Sequence, residues 1–129
     1  MANRYGEAAL MAARQAPSAD LTPAARWERS MEKLYPTSPA ARQKACPRGA
    51  FLGLCEAGLV KGIPAGRYTR PKDNGSYAVR AAALLLQGAQ RWSRSALWQA
   101  VTDGAGTRHN SQMDVLLALW NNGLIVGKS

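Results

Sequence analysis

The segment from Lys61 to Lys72 gathers the side chains of this chain best suited to recognising a ligand. Arg67 and Arg70 carry planar guanidinium forks that match a phosphate. Tyr68 offers a ring for stacking, and Thr69 a hydroxyl donor. Lys61 and Lys72 bracket the run, Gly62 and Gly66 let backbone approach a ligand closely, and no acid falls between Glu56 and Asp73. The chemistry these residues suit is anion binding. The competing reading is a solvated loop whose arginines cover neighbouring helices and pair with acids elsewhere, and the sequence leaves both readings open.

Bond-making chemistry has no comparable support. Cys46 and Cys55 flank Pro47, and a thiol nucleophile would need the single imidazole, His109, as its base. Cys55 stands inside an apolar run, where a thiolate is costly, so it reads as a small buried apolar group. His109 precedes Asn110 and Ser111 at a helix start, where the dipole disfavours added positive charge. Two cysteines and one histidine do not complete an ordinary zinc site. Nucleophile elbows, phosphate-binding glycine loops and dinucleotide fingerprints are missing from the sequence. The expectation is a non-enzymatic protein with no catalytic residue, no metal and no cofactor.

The charge concentrates where the candidate site lies. The 129 residues carry a formal net charge of +9. Residues 36–72 hold Arg42, Lys44, Arg48, Lys61, Arg67, Arg70 and Lys72 against Glu56 alone, a net of +6. Residues 1–35 contribute +1 and residues 73–129 contribute +2. An asymmetry of this size bears on partners more than a uniform basicity would. The 47% hydrophobic content is that of a globular chain and not of a disordered basic tail. No apolar run reaches the roughly 18 residues a membrane span requires, and the N-terminus lacks a secretory pattern. A cytoplasmic protein is expected.

Helix punctuation says what must position these groups. Asn3 caps a first helix with apolar positions Tyr5, Ala8, Ala9, Ala12, Ala13 and Ala16, and Pro17 ends it. Thr22-Pro23 opens a second helix with Trp27, Met31 and Leu34 on one face and Arg26, Glu28, Arg29 and Lys33 around the others. Ser38-Pro39 opens a short helix from Ala40 to Ala45, and the chain turns at Cys46-Pro47. A helix then runs through Phe51, Leu52, Leu54 and Cys55 to a left-handed stop at Gly58. After the basic segment, Asn74 or Ser76 caps a helix from Tyr77 to about Gln87, and Gly88 ends it. Ser95 caps a helix from Ala96 to Thr102 with Leu97, Trp98 and Val101 inward. Ser111 and Asp114 have the spacing of a capping box for a last helix, apolar almost all round, that stops at Gly123. Trp27, Trp98 and Trp120 read as core. Trp92, between Arg91 and Arg94, reads as a staple residue for the helix that follows, or else as an exposed stacking ring.

An internal echo runs through this pattern. Leu54 to Gly62 and Leu119 to Gly127 share L-x-x-x-G-L-[VI]-x-G, each preceded by a short serine-capped helix. The chain is thus either two related units or two independent uses of one helix-stop chemistry. Helix, turn, helix and short strand also outline a winged helix, in which the second helix reads the major groove. The helix after Pro47 offers only Arg48, Glu56 and small residues on its polar side, and the last helix is a core helix. Base reading is therefore disfavoured.

The blocks Gly49 to Pro64 and His109 to Trp120 resemble segments of a small family of uncharacterised bacterial proteins, a likeness spanning residues 36–126. The resemblance implies a bacterial, cytoplasmic, stand-alone domain and carries no activity. The expected fold is all-α: one domain over 1–129, a compact bundle of five to seven short helices. It divides into an N-terminal helical pair (1–35), a helix-turn-helix with the basic loop (36–72) and C-terminal helices (73–129). Two helix-turn-helix-like units are expected, with a minimal two-stranded sheet after the glycine stops. The expected function is a binding module in which Lys61, Arg67, Tyr68, Arg70 and Lys72, with Arg42, Lys44 and Arg48, meet an acidic macromolecule. Nucleic-acid backbone is the first choice and an acidic protein the alternative.

Overall fold

The computed structural model describes residues 4–14, 22–42, 45–63, 65–66, 73–88, 92–102 and 112–126. The chain is all-α. Its helices are α1 (Arg4–Arg14), α2 (Pro23–Leu34), α3 (Pro39–Arg42), α4 (Ala45–Glu56), α5 (Asp73–Gln87), α6 (Arg94–Thr102) and α7 (Gln112–Asn121). No described helix is long and apolar enough to cross a membrane.

The helix starts follow backbone accounting. Thr22 is extended, and its hydroxyl accepts the Ala25 N–H at 3.1 Å, while Pro23 fills the first position, where an N–H would have no partner. The cap of α6 is Ser93 and not Ser95: Ala96 N–H donates to Ser93 Oγ at 3.1 Å and Leu97 N–H to Ser93 C=O at 3.0 Å. Half-buried Trp92 thereby occupies the position just before the cap and packs against the core, as a staple residue does. Two further expected boundaries move. The chain does not turn at Cys46-Pro47, because α4 already begins at Ala45. A proline in the first helical turn removes only an N–H that no intrahelical carbonyl would accept. Likewise α5 begins at Asp73, which places Asn74 and Ser76 within the helix instead of at its cap. Asn3, Pro17, Lys44 and Ser111 lie outside the described residues.

The bundle assembles around α4 and α7. Helix α4 packs against α2, α5 and α7, and α7 also meets α1, α5 and α6. Small residues on α1 (Gly6, Ala8, Ala9, Ala12, Ala13) are buried and allow close approach to α2 and α7. Trp27 stacks on Phe51 with centroids 5.4 Å apart, and Tyr77 meets Trp98 edge-on at 5.1 Å. Leu97, Trp98 and Val101 point inward as expected, whereas Trp120 is half-buried. Arg26 departs most from expectation. It is buried, 7% exposed, beside Trp27 and Ser30 on the inward face of α2.

The glycine stops behave alike. After α4, Leu59 N–H donates to Leu54 C=O and Gly58 N–H to Cys55 C=O; after α7, Leu124 N–H donates to Leu119 C=O and Gly123 N–H to Trp120 C=O. Both are Schellman endings, with Gly58 and Gly123 at φ of 75° and 72°. The expected two-stranded sheet is absent among the described residues. In its place is one antiparallel bridge between Val60 and Ile125, the equivalent positions of the two echoes. Its two hydrogen bonds, Lys61 N–H to Leu124 C=O and Val126 N–H to Leu59 C=O, are both 2.8 Å and interchange when the two copies are swapped. The two short segments thus pair symmetrically about the bridge. The segments are too short to continue the ladder, since Ile63 N–H turns back to Val60 C=O.

The paired stops allow a controlled comparison. A Cβ on Gly58 would lie 3.1 Å from Ala65 Cβ, whereas one on Gly123 would meet nothing within 4 Å. Both substitutions by alanine carry the left-handed penalty of roughly 1–2 kcal/mol. Gly58→Ala is expected to be the more destabilising, and urea midpoints of the two variants measure the difference. Equal losses would mean that the contact with Ala65 carries no weight.

Candidate functional site

Of the residues expected to bind an anion, Lys61 and Arg48 have described side chains. Lys61 is exposed on the turn after α4, its backbone held by Leu124 and its ammonium without a partner among the described residues. Arg48 is half-buried in the first turns of α4, with Nη2 3.8 Å from Glu28 Oε1. At side-chain exposures of 38% and 63% this is a loose surface pair worth little. From Arg48 to the last residue of α4 is about 12 Å of helix, so the two cations mark opposite ends of it and do not converge. The backbone of Arg42 lies in α3, but its side chain, together with Lys44, Arg67, Tyr68, Arg70 and Lys72, lies outside the described residues.

The head of the basic run is nonetheless placed. Gly62, at φ of 85°, reverses the chain so that Ile63 returns to the core at 6% exposure. Ala65 then lies against Gly58, and Gly66 N–H donates to Glu56 C=O at 3.2 Å. These contacts fix the point from which Arg67-Tyr68-Thr69-Arg70-Pro71-Lys72 departs, beside the C-terminal end of α4. At the other side of the run, Asp73 begins α5.

Cations elsewhere have structural duties that the sequence did not reveal. Arg4 donates to Leu34 C=O at 3.0 Å, where α2 ends, and lies 5.5 Å from the Tyr35 ring centroid. Tyr35 in turn stacks on Tyr5, whose hydroxyl is pushed above its ordinary pKa by burial and by Tyr35. Arg80 donates to Val101 C=O at 2.9 Å near the end of α6. Arg94 binds Asp114 at 2.8 Å, so Asp114 joins α6 to α7 across the start of both helices. Arginines at helix ends satisfy carbonyls that have no intrahelical donor and complement the dipole.

The groups weighed for catalysis do not form a site among the described residues. Cys55 is fully buried, and burial pushes its thiol far above the ordinary range despite the opposing influence of Arg26. Cys46 lies in the first turn of α4 with its side chain outside the described residues, and His109 lies outside them altogether. Among the described residues no cluster of His, Cys, Asp or Glu is placed to hold a metal.

Residues 2–126 match a family of unknown function (DUF6979). No curated protein and no solved structure matches the chain.

Proposed function

The chain belongs to this family of unknown function, DUF6979, and we propose from its own residues that it is a non-enzymatic binding module for the backbone of a nucleic acid. The observation that carries the reading is how the cations divide. Outside residues 36–72, Arg94 is neutralised by Asp114, Arg4 and Arg80 hold helix-end carbonyls, and Arg26 is buried. Exposed Arg29 and Lys33 share α2 with exposed Glu28 and Glu32, and Arg14 is tethered to Asn122. Residues 36–72 hold seven cations and the single acid Glu56, with Arg48 only loosely paired to Glu28, and Lys61 stands exposed at the head of the run that leads to Arg67, Arg70 and Lys72. Guanidinium forks with one interleaved tyrosine suit phosphates and a stacked base. The inward-facing character of α7, where Met113, Val115, Leu116 and Leu119 are buried, leaves little for base reading in a groove.

Such binding is governed by counterion release and must weaken steeply with salt. Titration of labelled duplex and single-stranded oligonucleotides across a salt series is the test. Each of Arg67→Gln, Arg70→Gln and Lys72→Gln is expected to lower the log–log slope by about 0.9 on duplex, or about 0.7 on single strand. Absent or salt-insensitive binding at low ionic strength overturns the proposal. Preference for poly-glutamate over either oligonucleotide would assign the surface to an acidic protein instead.

A further inference from the structure

Three tethers define one end of the bundle. Arg14, the last residue of α1, donates from Nη2 to Asn122 Oδ1 at 3.2 Å, and Asn122 is itself fixed by donating to Ala118 C=O at 2.8 Å. Lys61, just beyond α4, is held by its N–H on Leu124 C=O, and Gly66 is held on Glu56 C=O. Helices α1, α4 and α7 therefore finish at the same end. Arg14, Lys61 and the departure point of the run 67–72 border it. The first residue of α1 lies at the opposite end, where Arg4 meets Leu34 at the finish of α2.

We infer that the anion-binding surface is not confined to residues 36–72 but includes this end of the bundle, with Arg14 a second contact to a nucleic-acid backbone beside Lys61. The inference rests on the function proposed above. Arg14 is exposed, and its partner Asn122 is uncharged, so among the described residues no acid opposes the guanidinium while its position is fixed. Arg94, by contrast, is neutralised by Asp114. The described acid at this end is Glu56, half-buried at the finish of α4. Three helix C-termini also bring partial negative charge, but the Schellman bonds satisfy carbonyls of α4 and α7. The dipole effect fades within a turn, so the full charges of Arg14 and Lys61 dominate outward. Arg14 and Lys61 come from segments far apart in sequence and flank the Asn122–Leu124 turn, as a surface that follows a strand of phosphates requires.

The test is fluorescence anisotropy of a short labelled single strand across a salt series, using the full chain. Arg14→Gln and Lys61→Gln are each expected to lower the slope by about 0.7. Arg14→Lys, which keeps the charge but not the fork on Asn122, is expected to retain the slope and so separates charge from tethering. Lys33→Gln, exposed next to Leu34 at the opposite end, is expected to change nothing. If Arg14→Gln leaves the slope intact while Arg67→Gln lowers it, the inference falls and the proposed function stands. An equal loss in Lys33→Gln overturns it too, because the attraction would then be overall charge. No binding by the unaltered chain, or preference for poly-glutamate, overturns both.

Discussion

Replacing Phe51 with alanine is expected to destabilise the protein by about 3–5 kcal/mol, a large share of the roughly 5–15 kcal/mol available to a domain of this kind. Phe51 is fully buried on α4 and stacks on Trp27 of α2 at 5.4 Å with an interplanar angle of 26°. Truncation removes the transferred apolar surface and leaves a cavity against a ring that is itself fully buried. Trp27 offers no compensation, since its indole N–H has no hydrogen-bond partner among the described residues and nothing directs it elsewhere. Because α4 packs against α2, α5 and α7, the loss reaches most of the bundle. With a urea m-value of about 1–3 kcal/mol/M, the midpoint should fall by at least about 1 M. Leu86→Ala, at a side chain 39% exposed, is the contrast and should cost no more than about 0.5 kcal/mol. A Phe51→Ala midpoint near that of Leu86→Ala would show that the Trp27–Phe51 stack does not organise the core. The same substitution should also weaken oligonucleotide binding, since Gly66 and Lys61 are positioned from the end of α4.

The parts of this fold that were legible in the sequence are those decided within one helical turn. Thr22-Pro23, Gly58 and Gly123 each announce a local backbone requirement, and each is met where expected. The errors arose where local signals compete. Ser93 and Ser95 are both good caps, but a staple at Trp92 requires the cap to follow at once, so Trp92 itself pointed to Ser93. At Cys46-Pro47 the rule that a residue before proline avoids helical geometry lost to the tolerance of the first turn for a missing N–H. Arg26 was misplaced by residue type and not by spacing. Pro23, Arg26, Trp27, Ser30 and Met31 form the three-and-four-residue stripe of an inward face, and all are buried.

The candidate site divides along the same line. Its charge was readable because it is concentrated in one segment, with +6 of +9 in residues 36–72. Its shape was not, because the pairing of Arg14 with Asn122 crosses 108 residues and depends on how α1 and α7 pack. Nothing near Arg14 in the sequence marks it as different from Arg4, yet one finishes beside α7 and the other beside α2. The echo shows the intermediate case. Its glycine stops were legible, but that Val60 and Ile125 should meet each other is a tertiary fact.

Alkaline pH is expected to erode stability through Cys55, from about pH 9 upward. Burial raises this thiol well above its ordinary value of 9.0, with Arg26 drawing it back only in part. The unfolded chain therefore releases the proton near pH 9, while the folded chain still holds it. The folded state binds more protons than the unfolded one in that window, so the Cys55 contribution is fully present below pH 9 and declines as pH rises. The loss approaches about 1.4 kcal/mol per pH unit for this single proton. Tyr5, raised from 10.0 for related reasons, adds its own decline at higher pH, so the difference between the native chain and Cys55→Ala assigns the thiol's share. Denaturant titrations from about pH 9 upward should show the decline in the native chain and its reduction by one proton's worth in Cys55→Ala, which is less stable at neutral pH but flatter. Identical pH slopes would mean that Cys55 is solvated in the folded state. A decline reduced by one proton's worth in Cys55→Ala fixes the thiol as a protonated core group at neutral pH, too costly to ionise to serve as a nucleophile.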